Sequence, residues 1–175
     1  NIINGNTPRV VEDVMSREDI ANAPRPDRAS LDAINIITRY HYNLQGKDAT
    51  TMMTSRGCPM PCTFCEDAKT VSKWSSLDNL KEEMNDIKDL GYKGVYIFDD
   101  LFAIAMPAVK PITEELKKRD LIYRCNGQAN FFVKWGEDFA KLLADTGCVE
   151  IAFGHESGSQ KILDNVNKRT KVEQN

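Results

Sequence analysis

Three cysteines, Cys58, Cys62 and Cys65, fall within eight residues of a 175-residue chain that holds five in all. They sit in Thr54-Ser55-Arg56-Gly57-Cys58-Pro59-Met60-Pro61-Cys62-Thr63-Phe64-Cys65, a segment that Gly57, Pro59 and Pro61 keep out of helix and strand. Thiolates spaced by four and then three residues in such a loop can converge on one metal centre. Iron–sulfur clusters are held by closely spaced cysteine runs of this kind. Three ligands on a four-iron cube leave one iron open to a partner other than protein. Zinc is an alternative, with a fourth ligand from Cys125, Cys148, His41 or His155, although zinc sites usually present two ligand pairs. A redox pair at Cys62 and Cys65 leaves Cys58 unexplained. The spacing ranks iron–sulfur first, zinc second and a redox pair third.

The remaining two cysteines bear on the same question. Cys125 ends a predicted strand and Cys148 precedes another. In a parallel sheet that puts them at opposite ends, roughly 15 Å apart, so both cannot serve one centre. An odd count, clustered, is also no disulfide scaffold. It favours a reducing compartment, and cytoplasm is the expected location.

From residue 49 the chain alternates. Thr50–Thr54, Gly94–Phe98, Leu121–Cys125 and Val149–Phe153 read as short strands. Between them Leu77, Leu80, Met84, Ile87 and Leu90 recur at helical steps, with Ser75 or Ser76 as cap and Gly91 as stop. A second helix opens at Pro107 and closes on Lys117-Lys118-Arg119. Phe139, Leu142 and Leu143 mark a third, ended by Gly147, and Ile162, Leu163 and Val166 begin a fourth. Asn126-Gly127 reads as a turn. Strand–helix alternation predicts an α/β fold with a parallel sheet; right-handed crossovers allow a barrel or a doubly wound sheet, and pattern does not choose. Four βα units do not close a barrel, so the chain reads as part of a larger protein. Residues 1–48 are polar, carry Pro8, Pro24 and Pro26, and read as a linker or arm ahead of a core over 49–175.

Composition excludes little. With 41% hydrophobic and 28% charged residues the chain fits an ordinary globular domain. Its net charge of −3 gives no nucleic-acid signal. No apolar run approaches the roughly 20 residues that span a bilayer, so no membrane span is expected. Asn1-Ile2-Ile3-Asn4-Gly5 shows no signal peptide.

Several polar residues follow the predicted strands. Asp99 and Asp100 end the second, a costly pair unless solvated or paired. Asn126 and Gln128 end the third. Gly154-His155-Glu156-Ser157-Gly158-Ser159 follows the fourth and opens a helix, with Ser157 or Ser159 as cap. With the cysteine loop, these four groups share the C-terminal ends of successive strands, the face where parallel α/β proteins assemble active sites.

CxxxCxxC with an aromatic before its last cysteine, directly after a first strand, resembles the signature of the radical S-adenosylmethionine (SAM) superfamily. Ser55-Arg56-Gly57-Cys58-Pro59 followed by Cys62-Thr63-Phe64-Cys65 is similar to the subgroup that often carries an upstream cobalamin-binding domain, and Pro24-Arg25-Pro26-Asp27-Arg28 is similar to that subgroup's linker. Glu156, in a stretch continuing through Leu163 to Asn167-Lys168, resembles the family's GxESGS segment. The resemblance implies a partial (βα) barrel of about four units and a 4Fe–4S cluster on Cys58, Cys62 and Cys65. It implies reductive cleavage of S-adenosylmethionine to a 5′-deoxyadenosyl radical acting on a substrate that the sequence leaves unnamed. Methyl transfer, ring closure and methylthiolation are all chemistries of similar-looking families. It places Phe64 by the adenine, although loop packing accounts for Phe64 equally well. It assigns Glu156 to the ribose, and puts Asp99, Asp100, Gln128 and Ser157 among the cofactor contacts. An electron donor such as a flavodoxin or ferredoxin follows as partner. Any cobalamin domain would precede residue 1. The competing expectation is a non-catalytic iron–sulfur or zinc-binding module.

Overall fold

The order of the strands resolves what periodicity leaves open. The computed structural model describes residues 15–33 and 42–175, with the backbone alone for 31–33. Its main sheet runs β1 (Tyr42–Leu44), β2 (Lys47–Met52), β5 (Gly94–Ile97), β6 (Ile122–Gly127), β7 (Cys148–Phe153). Strands β2, β5, β6 and β7 are parallel, and each neighbours the next in sequence. A doubly wound sheet reverses its order at a switch point, whereas a barrel adds each strand to the last. The sheet is therefore half of a (βα) barrel, curled to one side.

The helices that cover it follow from where the apolar side chains fall. On α3 (Leu77–Asp89), Leu80, Met84 and Ile87 are buried; on α4 (Met106–Lys118), Val109, Ile112 and Leu116; on α5 (Ala129–Asp145), Phe139 and Leu143. They form one core with Met52, Val95, Ile97, Tyr123 and Cys125 of the strands. Each such large side chain stabilises the fold by about 1.5–3 kcal/mol on burial. The other face of the sheet is of different character. Tyr42 lies against Tyr96 at 4.8 Å, the Arg124 guanidinium sits 5.0 Å from the Tyr96 ring centre, and Arg124 pairs with Glu150.

Boundaries differ from expectation in three places. The sheet begins at Tyr42, where β1 and β2 form a hairpin turned by Gln45 and Gly46, both at positive φ. Asn126-Gly127 is no turn but the end of β6, paired with Ala152 and Phe153. The third helix starts ten residues earlier than Phe139, at Ala129, and is broken at Gly136 by φ 69° and ψ −165°. Ser76, not Ser75, caps α3, accepting from the Asn79 N–H.

Residues 15–33, with α1 (Arg17–Ala21) and α2 (Arg28–Ala33), lie against the start of α3. Asn79 donates to the Ala23 carbonyl at 2.9 Å, and Arg25 pairs with Glu82 and Asp86. Deeper in, Arg28 donates through Nη2 to Glu83 at 2.6 Å and to the Thr51 carbonyl. Its Nη1 is buried without a partner. A cavity of about 210 Å³ lies beneath this arm, bordered by Ile20, Pro24, Met53 and Glu83.

Candidate active site

The cysteine loop is closed at its neck by a two-residue ribbon, β3 (Ser55–Arg56) against β4 (Lys73–Trp74). Inside it, Thr70 Oγ1 accepts from the Cys58 N–H at 2.8 Å, Thr70 N–H returns a bond to the Cys58 carbonyl, and Lys69 N–H donates to the Met60 carbonyl. Gly57 has φ +91°, and a Cβ there would lie 2.7 Å from the Val71 carbonyl oxygen. Only glycine lets the two sides of the neck approach this closely.

The three thiols differ in access: Cys62 is buried, Cys58 half-buried and Cys65 exposed. Burial chiefly, then the neighbouring Cys65 and Cys62, push the Cys58 thiol up. A cation binding there has to displace its proton. Three soft donors on a braced loop fit an iron–sulfur cluster. Among the described residues no three His, Cys, Asp or Glu side chains converge on a single-ion site.

The other candidate ligands fall away. Cys125 is wholly buried in the helix-side core. The nearby Cys148 thiol and burial push the Cys125 thiol up, while Cys148 Sγ itself donates to the Glu150 carbonyl at 3.5 Å. This corrects the expected 15 Å separation. Cys125 sits inside β6 rather than at its end, and β7 begins at Cys148 opposite Tyr123, beside an irregular register step. His155 stacks on Phe153 at 5.6 Å. His41 lies outside the described residues.

Facing the loop is the segment after β7. Glu156 is exposed, has φ +61°, and accepts a 3.0 Å hydrogen bond from Lys168 Nζ. That ammonium also lies 5.8 Å from the ring centre of the exposed Phe64, within cation–π range. Thr63 N–H donates to the Val166 carbonyl, tying the loop to the turn after α6 (Gln160–Asn165). Gly154 makes room: a Cβ there would stand 2.7 Å from Glu156 Oε1 and 3.1 Å from Lys168 Nζ. Lys168 thus joins Phe64 to Glu156. Sequence reasoning gave it no role, since a lysine twelve residues past Glu156 has no periodic signal.

Of the remaining expected contacts, Asp99 and Gln128 are buried, Ser157 is partly buried and Asp100 is exposed. Asp99 is 0% exposed. It accepts from Thr54 N–H at 2.6 Å, Thr54 Oγ1 at 2.5 Å and Ser55 Oγ at 2.6 Å. Burial pushes its carboxyl up, against the pull of Ser55 and Thr54. Both carboxylate oxygens of Asp99 are thus engaged by Thr54 and Ser55. Asp100 accepts from the Gly57 N–H at 2.8 Å. Gln128, buried, donates to the Lys168 carbonyl at 2.8 Å. Ser157 Oγ accepts from the Ser159 N–H at 3.0 Å, and Ser159 is the N-cap of α6 with no side-chain bond of its own.

Comparison with known proteins gives the family and the fold. The model of the Radical SAM superfamily matches residues 52–175. An uncharacterized methyltransferase of Pyrococcus horikoshii is 28% identical over 156 residues, which are 83% of this chain and 33% of that protein. The anaerobic magnesium-protoporphyrin IX monomethyl ester cyclase of Rubrivivax gelatinosus is 29% identical over 142 residues, 78% of this chain and 25% of that protein. The chain thus spans a third or less of the length of these curated relatives. Among solved structures, the methyltransferase TsrM of Kitasatospora setae with cobalamin and a 4Fe–4S cluster bound superposes with a TM-score of 0.61. It is 19% identical, over 74% of this chain and 27% of that one, which speaks for a shared fold.

Proposed function

Since the chain belongs to the radical SAM superfamily, we propose that Cys58, Cys62 and Cys65 hold a 4Fe–4S cluster, with S-adenosylmethionine lying between the cysteine loop and Glu156. The family uses both cofactors, and the class is that of radical SAM enzymes. The observation that carries the residue assignment is Lys168, which bonds Glu156 and covers Phe64 from one position. It brings a carboxylate and an aromatic ring to one ammonium group beside the cysteine loop.

When bound, the cluster supplies the electron that cleaves the sulfonium and releases a 5′-deoxyadenosyl radical. The chain's own part is to bind and orient. Phe64 offers a flat apolar face to the adenine. Glu156 keeps one carboxylate oxygen on Lys168 and presents the other to the ribose hydroxyls, and Ser157 shapes the turn beside it. Gln128 fixes the Lys168 backbone from below. Asp99 and Gln128, both buried, frame the ligand rather than touch it, and Asp100 borders it with an exposed carboxylate. We extend the reading to a small-molecule substrate, a flavodoxin- or ferredoxin-like electron donor and a reducing, cytoplasmic setting for the five free cysteines. No helix among the described residues is long and apolar enough to cross a membrane. Cobalamin enters the reading through the relatives only, as a cofactor of the whole protein.

The test is anaerobic reconstitution followed by iron and acid-labile sulfide analysis, then assay for 5′-deoxyadenosine after reduction with S-adenosylmethionine. Iron and sulfide in equal amounts, with reductant-dependent product, is the expected result. Zinc in place of iron, or a cluster that yields no product, returns the chain to the class of non-catalytic metal modules.

A further inference from the structure

The two adjacent carboxylates after β5 are both spent on the strand that leads into the cysteine loop. Asp99 reaches back to Thr54 and Ser55, and Asp100 reaches forward to Gly57, next to Cys58. Four hydrogen bonds from three residues of one short segment end on two consecutive side chains of another. Burying Asp99 completely is costly, and the cost is met only because every donor it needs is supplied from Thr54 and Ser55. The pair is itself anchored. Asn126 Nδ2 donates to the Asp99 carbonyl at 3.1 Å, and Ala103 N–H donates to the Asn126 carbonyl at 3.0 Å. The turn after β5 is thereby fixed to the end of β6.

The cysteine loop has little else on this side. Its internal bonds hold its two arms to each other, and Thr63 holds its tip to Val166, but neither fixes its neck to the sheet. The isolated β3–β4 ribbon is a separate small sheet. The neck is tied to the turn after β5 through Asp99 and Asp100, while the Thr54 carbonyl, accepting from Ser75 N–H, joins it to the segment ahead of α3.

We propose that Asp99 and Asp100 are positioning residues: a latch that sets the cysteine loop, and hence the cluster, at a fixed height over the end of β5. This rests on the cluster reading above and deepens it. Asp99 fixes the two residues where the chain leaves β2, and Asp100 fixes the amide just before the first ligand. The two tasks fall to different side chains: Asp99 is taken up by Thr54 and Ser55, and Asp100 by the Gly57 amide.

The test uses the full chain with two readouts. In the metal-free protein, Asp100→Ala should raise the hydrogen-exchange rate of the Gly57 amide roughly tenfold, the effect of losing one bond to a charged acceptor. Asp100→Asn should restore the parent rate, because its side-chain carbonyl accepts the same N–H. In the reconstituted protein, Asp100→Ala and the pair Thr54→Val, Ser55→Ala should each release iron to a chelator several-fold faster. They should also shift the electron paramagnetic resonance spectrum of the reduced cluster, while the thermal midpoint of Asp100→Ala stays at the parent value. Unchanged Gly57 exchange in Asp100→Ala overturns the latch, whatever the iron does. Faster exchange with parent-like iron release and spectrum overturns its role in setting the cluster. If the parent chain itself takes up no iron and sulfide, the cluster reading fails, while the exchange data still report on the latch.

Discussion

Glu156 shows how one residue's backbone and side chain serve different ends. Its left-handed φ is unfavourable for a side chain of this kind, yet that turn aims the carboxylate at Lys168 and the loop. Glu156→Ala should lower affinity for S-adenosylmethionine about 10- to 150-fold, the worth of a charge-assisted hydrogen bond of roughly 1.5–3 kcal/mol, with iron content unchanged. Calorimetric titration checks it, and parent-like affinity would remove the ribose assignment. The cysteines divide in the same way. Cys58→Ser, Cys62→Ser and Cys65→Ser should each abolish the intact cluster by iron content and visible absorbance. Cys125→Ser and Cys148→Ser should keep it, because Cys125 is buried in the helix-side core and Cys148 packs against that core. Iron lost from either, with the fold intact, would revive a fourth protein ligand. Sequence separated these two groups on a reason that the structure does not keep. It placed Cys125 at a strand end, when the strand continues through Asn126-Gly127.

At the scale of elements, the arm and the first helix of the sheet's cover depend on a buried ion pair. Arg28 and Glu83 are each 6% exposed, so removing one strands the other. Arg28→Ala should cost about 3–5 kcal/mol, whereas replacing both residues by Met should cost far less. Urea denaturation of the single and double variants would show it, and a single variant as stable as the double would place the arm outside the cooperative unit. The element boundaries explain what was legible. Gly94–Phe98 and Val149–Phe153 are apolar runs long enough to announce strands. Tyr42-Asn43-Leu44 is three residues in a polar stretch, and its pairing is recorded only in the Gln45-Gly46 turn. The first half of α5, Ala129 to Trp135, was hidden behind Asn126-Gly127, because a turn-forming dipeptide outweighed the Phe131 and Phe132 that follow. The gathering of polar groups at the strand ends was readable, since topology alone dictates it. Which of them face a ligand was not, because Asp99 and Gln128 find partners far away in sequence.

Seen whole, the molecule is a curled sheet whose last described strand, β7, has no neighbour on its outer side. Unpaired strand edges recruit other chains. Sedimentation of the purified chain should therefore show association that rises with concentration, and Val149→Lys should shift it toward monomer; a parent chain monomeric at all concentrations would show the edge to be inert. The left-handed turn at Glu156 has another consequence for anyone breeding variants of this protein. A library randomised at that position and sorted only for folding should drift to Asn and Gly, which accept positive φ readily. Asn should lead, since its side-chain carbonyl keeps an acceptor on the Lys168 side. Sorted for S-adenosylmethionine capture, the same library should return Glu, so robustness and cofactor binding would be selected in opposite directions at one codon.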